Sequence, residues 1–177
     1  MTPAKKLALV VAVQFLVLFS VIGFKQYTVW TGETVLLRTA PVDPNDLLRG
    51  DYTELRYTIS TIDLSQVLSD RRPYGSIYVE LERGDDGYWR AVAIHNDRKR
   101  SFDGTVLLQG KVERYSGANT VRIRYGIEQI FIPEGSGRDL PRGPGHVVAV
   151  EVKVDRFGNA VPRRFVVDGQ PFTLHRR

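Results

Sequence analysis

SIYVELERGDDGYWRAVAIH, residues 76–95, decides the fold class. Ile77, Val79 and Leu81 alternate with Tyr78, Glu80 and Glu82, the period of two that sends successive side chains to opposite faces of a strand. Gly84-Asp85-Asp86-Gly87 then breaks the run and supplies an Asp-Gly pair suited to a tight reversal. Tyr88 to His95 resumes in aromatic and aliphatic residues, so the stretch reads as strand, turn, strand. The pattern recurs downstream. Thr105 to Tyr115 and Thr120 to Ile132 flank Ser116-Gly117-Ala118-Asn119, and Val147 to Val154 and Val161 to Val167 flank Asp155-Arg156-Phe157-Gly158-Asn159. No long helical period follows residue 70. Short strands with turn signals at this spacing predict a mainly β domain, an antiparallel β-sandwich or partly open barrel. The order of its strands cannot be read from periodicity.

Upstream of that hairpin the pattern is less regular. Tyr27 to Arg38 reads as a strand or a bent pair broken at Gly32. Tyr52 to Ile59 alternates as a strand, with Tyr52, Glu54 and Arg56 on one face and Thr53, Leu55 and Tyr57 on the other. Asp63 to Ser69 is expected to form one short helix, capped by Asp63 with Gln66 three residues on, and with Leu64, Val67 and Leu68 as its apolar stripe. Gly135 to Gly145, rich in Gly and Pro, is expected to be a loop.

The N-terminus belongs to another class. Leu7 to Phe24, LALVVAVQFLVLFSVIGF, contains no charge, and Gln14 and Ser20 are its polar residues. As a helix it is about 27 Å long at ~1.5 Å per residue, close to the ~30 Å of a bilayer's hydrocarbon core. An apolar surface all round argues against a core helix in so small a domain. Val21-Ile22-Gly23 is a poor cleavage site for a secretory signal. The expected organisation is therefore a cytoplasmic head and membrane anchor over residues 1–25, followed by a β domain over 26–177. The bilayer is the partner of Leu7 to Phe24. Lys5 and Lys6 precede the run and Lys25 follows it, so the basic bias places the N-terminus inside. That predicts a single-pass protein of the bacterial inner membrane with its C-terminal domain in the periplasm or outside.

Composition removes several functions. The sequence has no cysteine, which excludes disulfides, thiolate nucleophiles and thiolate-held metals. The formal charge of +5 falls to +3 without Lys5 and Lys6, too mild and too scattered for a nucleic-acid binder. The dense cluster Arg98-Lys99-Arg100 sits between Asp97 and Asp103 and reads as a solvated loop. His95, His146 and His175 lack metal-ligand spacing and read as surface or edge-strand residues. There is no phosphate-binding loop, dinucleotide fingerprint or nucleophile elbow, and no cofactor or metal is expected.

One stretch stands out as a candidate site: PVDPNDLLRGDYTELRY, residues 41–57. Pro41 and Pro44 stiffen the approach. Asp43, Asn45 and Asp46 are turn formers, and Gly50 frees the backbone just before the strand. The residues serve either as a structural entry to the core or as a recognition surface built from Asp43, Arg49, Asp51 and Tyr52. Gly50-Asp51-Tyr52-Thr53-Glu54-Leu55-Arg56-Tyr57 matches, residue for residue, the signature for which the GDYXXLXY family of bacterial proteins is named. Tyr125-Gly126-Ile127-Glu128-Gln129-Ile130-Phe131-Ile132-Pro133-Glu134-Gly135 also resembles a recurrent stretch of that family. The resemblance covers nearly the whole chain. It implies little biochemistry beyond an accessory role beside a larger multi-pass membrane protein, and with no catalytic motif present the leading expectation is a non-catalytic accessory or binding module. The candidate recognition or structural residues are then Asp43, Arg49, Gly50, Asp51, Tyr52, Leu55, Tyr57, Glu128, Phe131 and Glu134. Arg49, Asp51, Glu128 and Glu134 are expected to offer polar specificity, and Tyr52, Tyr57 and Phe131 apolar contact. The competing expectation is a membrane-bound hydrolase that uses Asp51 with Glu128 or Glu134.

Overall fold

The structure, a computed structural model, describes residues 3–40, 52–99, 102–131 and 145–172. A long helix, α1 (Pro3–Thr31), leads into a mainly β body. Within α1 the side chains from Leu7 to Ile22 whose environment is described are exposed. The helix is long and apolar enough to cross a membrane. Tyr27 to Thr31, expected to be extended, instead continue the helix. Their β-favouring side chains are overruled by docking: Thr28 is buried, and its hydroxyl donates to Asp155 at 2.7 Å.

Gly32 makes the junction. Its N–H closes the helix on the Thr28 carbonyl at 2.9 Å. A Cβ at Gly32 would lie 2.4 Å from that carbonyl oxygen and 3.1 Å from Val154 backbone atoms, so no side chain fits there. Lys153 Nζ donates to the Gly32 carbonyl at 3.1 Å, placing a cation at the negative end of the helix.

The strands follow as β1 (Glu33–Arg38), β2 (Tyr52–Glu54), β3 (Thr61–Asp63), β4 (Leu68–Ser69), β5 (Ser76–Arg83), β6 (Trp89–His95), β7 (Thr105–Ser116), β8 (Thr120–Arg124), β9 (Gln129–Phe131), β10 (Val148–Val154), β11 (Ala160–Val167) and β12 (Gln170–Phe172). They form a curled, half-barrel sheet in the order β3-β8-β7-β5-β6-β4, an antiparallel sheet β1-β10-β11-β12, and the pair β2-β9. The hairpins β5–β6, β7–β8 and β10–β11 fall where alternation and turn residues put them. The run expected from Thr120 onward is divided, because residues 125–128 turn away between β8 and β9.

Val35, Leu37, Val150, Val152 and Phe165 of one sheet and Ile77, Val79, Leu81, Leu108 and Ile123 of the other share a single buried core. The opposite face of β1 and β10 is covered as well. Leu36, Ala149 and Val166 pack under Tyr88, whose ring is capped by the Arg38 guanidinium at 4.2 Å.

Two other expectations are corrected. Asp63 to Ser69 is no helix but a turn between β3 and β4. The Asp63 carboxylate takes both the N–H and the hydroxyl of Ser65, a local bond that competes with helix formation. The strand expected over residues 52–59 stops at Glu54 and gives way to a 3-10 turn at Thr58–Ser60. The loop expected over 135–145 lies outside the described residues except Gly145.

Candidate functional site

The signature and the second family-like stretch meet in space, although some 70 residues separate them. Tyr52 pairs with Phe131, Thr53 with Ile130 and Glu54 with Gln129 in the antiparallel β2–β9 ladder. The pairing continues past the strand ends, where Leu55 N–H donates to the Glu128 carbonyl at 2.6 Å. On its other side the signature meets the end of β1: Thr39 bridges to Tyr57, and Ala40 N–H donates to the Arg56 carbonyl at 2.6 Å.

Two tyrosines lock this arrangement. Tyr57, 1% exposed, donates its hydroxyl to the Ile127 carbonyl at 2.7 Å. Tyr125 donates to the Ile59 carbonyl at the same distance. Each segment thus anchors the other through a buried hydroxyl. Burial, and secondarily the nearby Glu128 charge, pushes both phenols upward, so they remain neutral donors. Tyr125 has room because β7 carries Gly110 beneath it, where a Cβ would come within 3.0 Å of the ring. After Tyr125 the chain turns at Gly126, whose φ of +77° suits glycine. The Glu128 carboxylate closes that turn by accepting the Tyr125 N–H at 2.5 Å.

Beside the locked segment lies an open groove of about 890 Å3. Its polar wall carries Arg56, Arg114, Arg122 and Arg124, with Glu113, Glu128 and Gln129. A bulge in β7 between Val112 and Arg114 sets Arg114 directly opposite Arg122 of β8. Like charges in register across a ladder oppose folding. Arg124 has an ion-pair partner in Glu113. Among the described residues, no carboxylate pairs with Arg56, Arg114 or Arg122. The groove therefore presents guanidinium groups, rigid forks matched to carboxylates, on a wall that solvent reaches.

The candidate residues separate accordingly. Leu55 and Tyr57 are buried core, so Tyr57 is unavailable as a contact surface. Glu128 serves the turn with one oxygen and lines the groove. The backbones of Tyr52 and Phe131 are paired. Asp43, Arg49, Gly50, Asp51 and Glu134 lie outside the described residues. Sequence reasoning missed Arg114 and Arg122, which alternation marks only as outward-facing strand positions.

His95 also departs from expectation. It is buried in β6 rather than at a surface, with Nε2 2.9 Å from Glu80 Oε2. Thr105 donates to Glu80 Oε1 at 2.8 Å, and Asp70 lies 3.6 Å from His95 Nδ1. The Thr105 hydroxyl also lies 2.9 Å from the Phe102 carbonyl, and the Glu80–His95–Thr105 cluster ties β5, β6 and β7 together.

A family model described as GDYXXLXY protein matches residues 14–165, most of the chain. The chain belongs to the GDYXXLXY family. In this member the leucine and the last tyrosine of the signature are the core residues Leu55 and Tyr57. Neither a curated protein nor a solved structure matches the chain.

Proposed function

We propose that this GDYXXLXY protein is a non-catalytic, membrane-tethered binding module of the bacterial inner membrane. It crosses once through residues 7–24 and holds its β domain in the periplasm or outside. There it assists a multi-pass membrane protein by receiving an acidic segment of that partner. The observation that carries the reading is the groove: Arg56, Arg114 and Arg122 stand together without carboxylate partners among the described residues. Opposed arginines weaken a sheet, and an acidic ligand between them turns that repulsion into attraction. Tethering adds to this, because confinement to one membrane raises the effective concentration of a co-resident partner. The basic residues Lys5 and Lys6 before the span support the orientation.

Photo-crosslinking in the native membrane tests the proposal, with the reactive group at the exposed groove residue Gln129 of the full-length protein. The expected adduct is a single multi-pass protein, lost in Arg114→Glu with Arg122→Glu. Adducts spread over many unrelated proteins, or one indifferent to the charge reversal, would contradict it.

A further inference from the structure

The junction between α1 and the β body carries a second cationic surface, of different composition. The turn between β10 and β11 is held by Asp155, whose Oδ1 accepts the N–H groups of Phe157 and Asn159 at 2.8 and 3.0 Å. Its other oxygen takes the Thr28 hydroxyl of the helix. The turn is thereby fixed against the last turns of α1. At its tip the Arg156 guanidinium lies 4.8 Å from the Phe157 ring centre and 6.0 Å from that of Tyr27. Arg98, from the β6–β7 connection, stacks on the same Phe157 ring at 5.2 Å and donates to the Arg156 carbonyl at 2.8 Å. Among the described residues neither guanidinium has a carboxylate partner. Trp30, 78% exposed, stands on the same end of the helix.

The height of this cluster follows from the helix. Residues 7–24 fill the hydrocarbon core, so Tyr27 to Thr31 rise within about 10 Å of its edge at ~1.5 Å per residue. The headgroup layer occupies that zone. Trp and Tyr prefer this layer, and arginines there meet lipid phosphates. From this placement we infer that Arg98, Arg156, Phe157, Tyr27 and Trp30 form a collar that seats the β domain on anionic phospholipid headgroups. The Thr28–Asp155 latch turns that seating into a fixed orientation of the domain. The inference rests on α1 spanning the bilayer, as proposed above, and is independent of what the groove binds.

Tryptophan quenching by brominated lipid tests it. The full-length chain, carrying Trp30→Phe and Phe157→Trp, is reconstituted in vesicles of phosphatidylcholine with or without phosphatidylglycerol. Trp89 is buried in the core and supplies an unquenched background. The new indole at position 157 should be quenched, and more strongly in the anionic vesicles. Arg98→Glu with Arg156→Glu should shift the seated-to-free ratio by at least roughly 30-fold toward free, since loss of each arginine near an anionic surface alone is worth about 1 kcal/mol. An indole no more quenched than the Trp30→Phe parent, in a chain that resists carbonate extraction, overturns the collar and leaves the anchor standing. A chain that carbonate extracts overturns both. Quenching indifferent to phosphatidylglycerol and to the charge reversal overturns the headgroup recognition, and exclusion of the indole by a co-purifying protein assigns the collar to that protein instead.

Discussion

Tyr57 and Leu55 carry the signature's contribution to stability. The Tyr57 hydroxyl satisfies a carbonyl that the surrounding core shields from water. Removing it in Tyr57→Phe strands the Ile127 oxygen and should cost about 1–3 kcal/mol, the penalty for an unsatisfied buried polar group. Leu55→Ala removes packed methyl groups from a 5%-exposed site and should cost roughly 2–5 kcal/mol. Unfolding midpoints of the full-length protein in detergent measure both, and wild-type midpoints would show that the signature does not hold the core. The alternation of Leu55 and Tyr57 already marked them as one face in the sequence. The reciprocal Tyr125 bond could not be read there, because it joins segments whose pairing no local pattern encodes.

At the scale of elements, the hairpins were legible because alternation and turn chemistry are both local. The end of α1 was not. Tyr27-Thr28-Val29-Trp30-Thr31 favours strand by propensity, and the Asp155 latch and the tight approach of Gly32 to Val154 hold it helical. That latch has a pH signature. Burial pushes the Asp155 carboxyl up, but bonds from Thr28, Asn159 and the backbone N–H groups outweigh it and leave the group below the usual carboxylate range. A depressed folded-state pKa gives stability that is full above the unfolded value, about 3.9, and is lost as pH falls through the folded value. Unfolding midpoints should therefore drop below about pH 4, and Asp155→Asn should flatten that part of the profile. An unchanged profile in the variant would remove Asp155 from the account. Within β7, Gly110→Ala forces a Cβ to 2.6 Å from the Ile123 methyl and 3.0 Å from the Tyr125 ring. Such overpacking typically costs about 1–3 kcal/mol, again read from the unfolding midpoint.

For the whole molecule, the proposed anchor and the groove are separable. Val13→Arg with Leu16→Arg should place charges near mid-bilayer at about 2.5–3.5 kcal/mol each and release the chain to carbonate, whereas the wild type should resist extraction. The mainly β body and the apolar helix were readable because hydropathy and period are properties of short windows. The groove was not, because it arises where β7 bulges and so brings Arg114 against Arg122, a register that only the folded sheet defines. The measurement that bears most directly on the binding-module account compares two quantities on the same full-length preparations: crosslink yield from Gln129 in the native membrane, and unfolding midpoint in detergent. Replacing Arg114 and Arg122 together by Gln should abolish the adduct while the midpoint holds or rises, since about 0.2–1 kcal/mol of cross-strand repulsion is relieved. An adduct of wild-type yield in that variant would contradict the account.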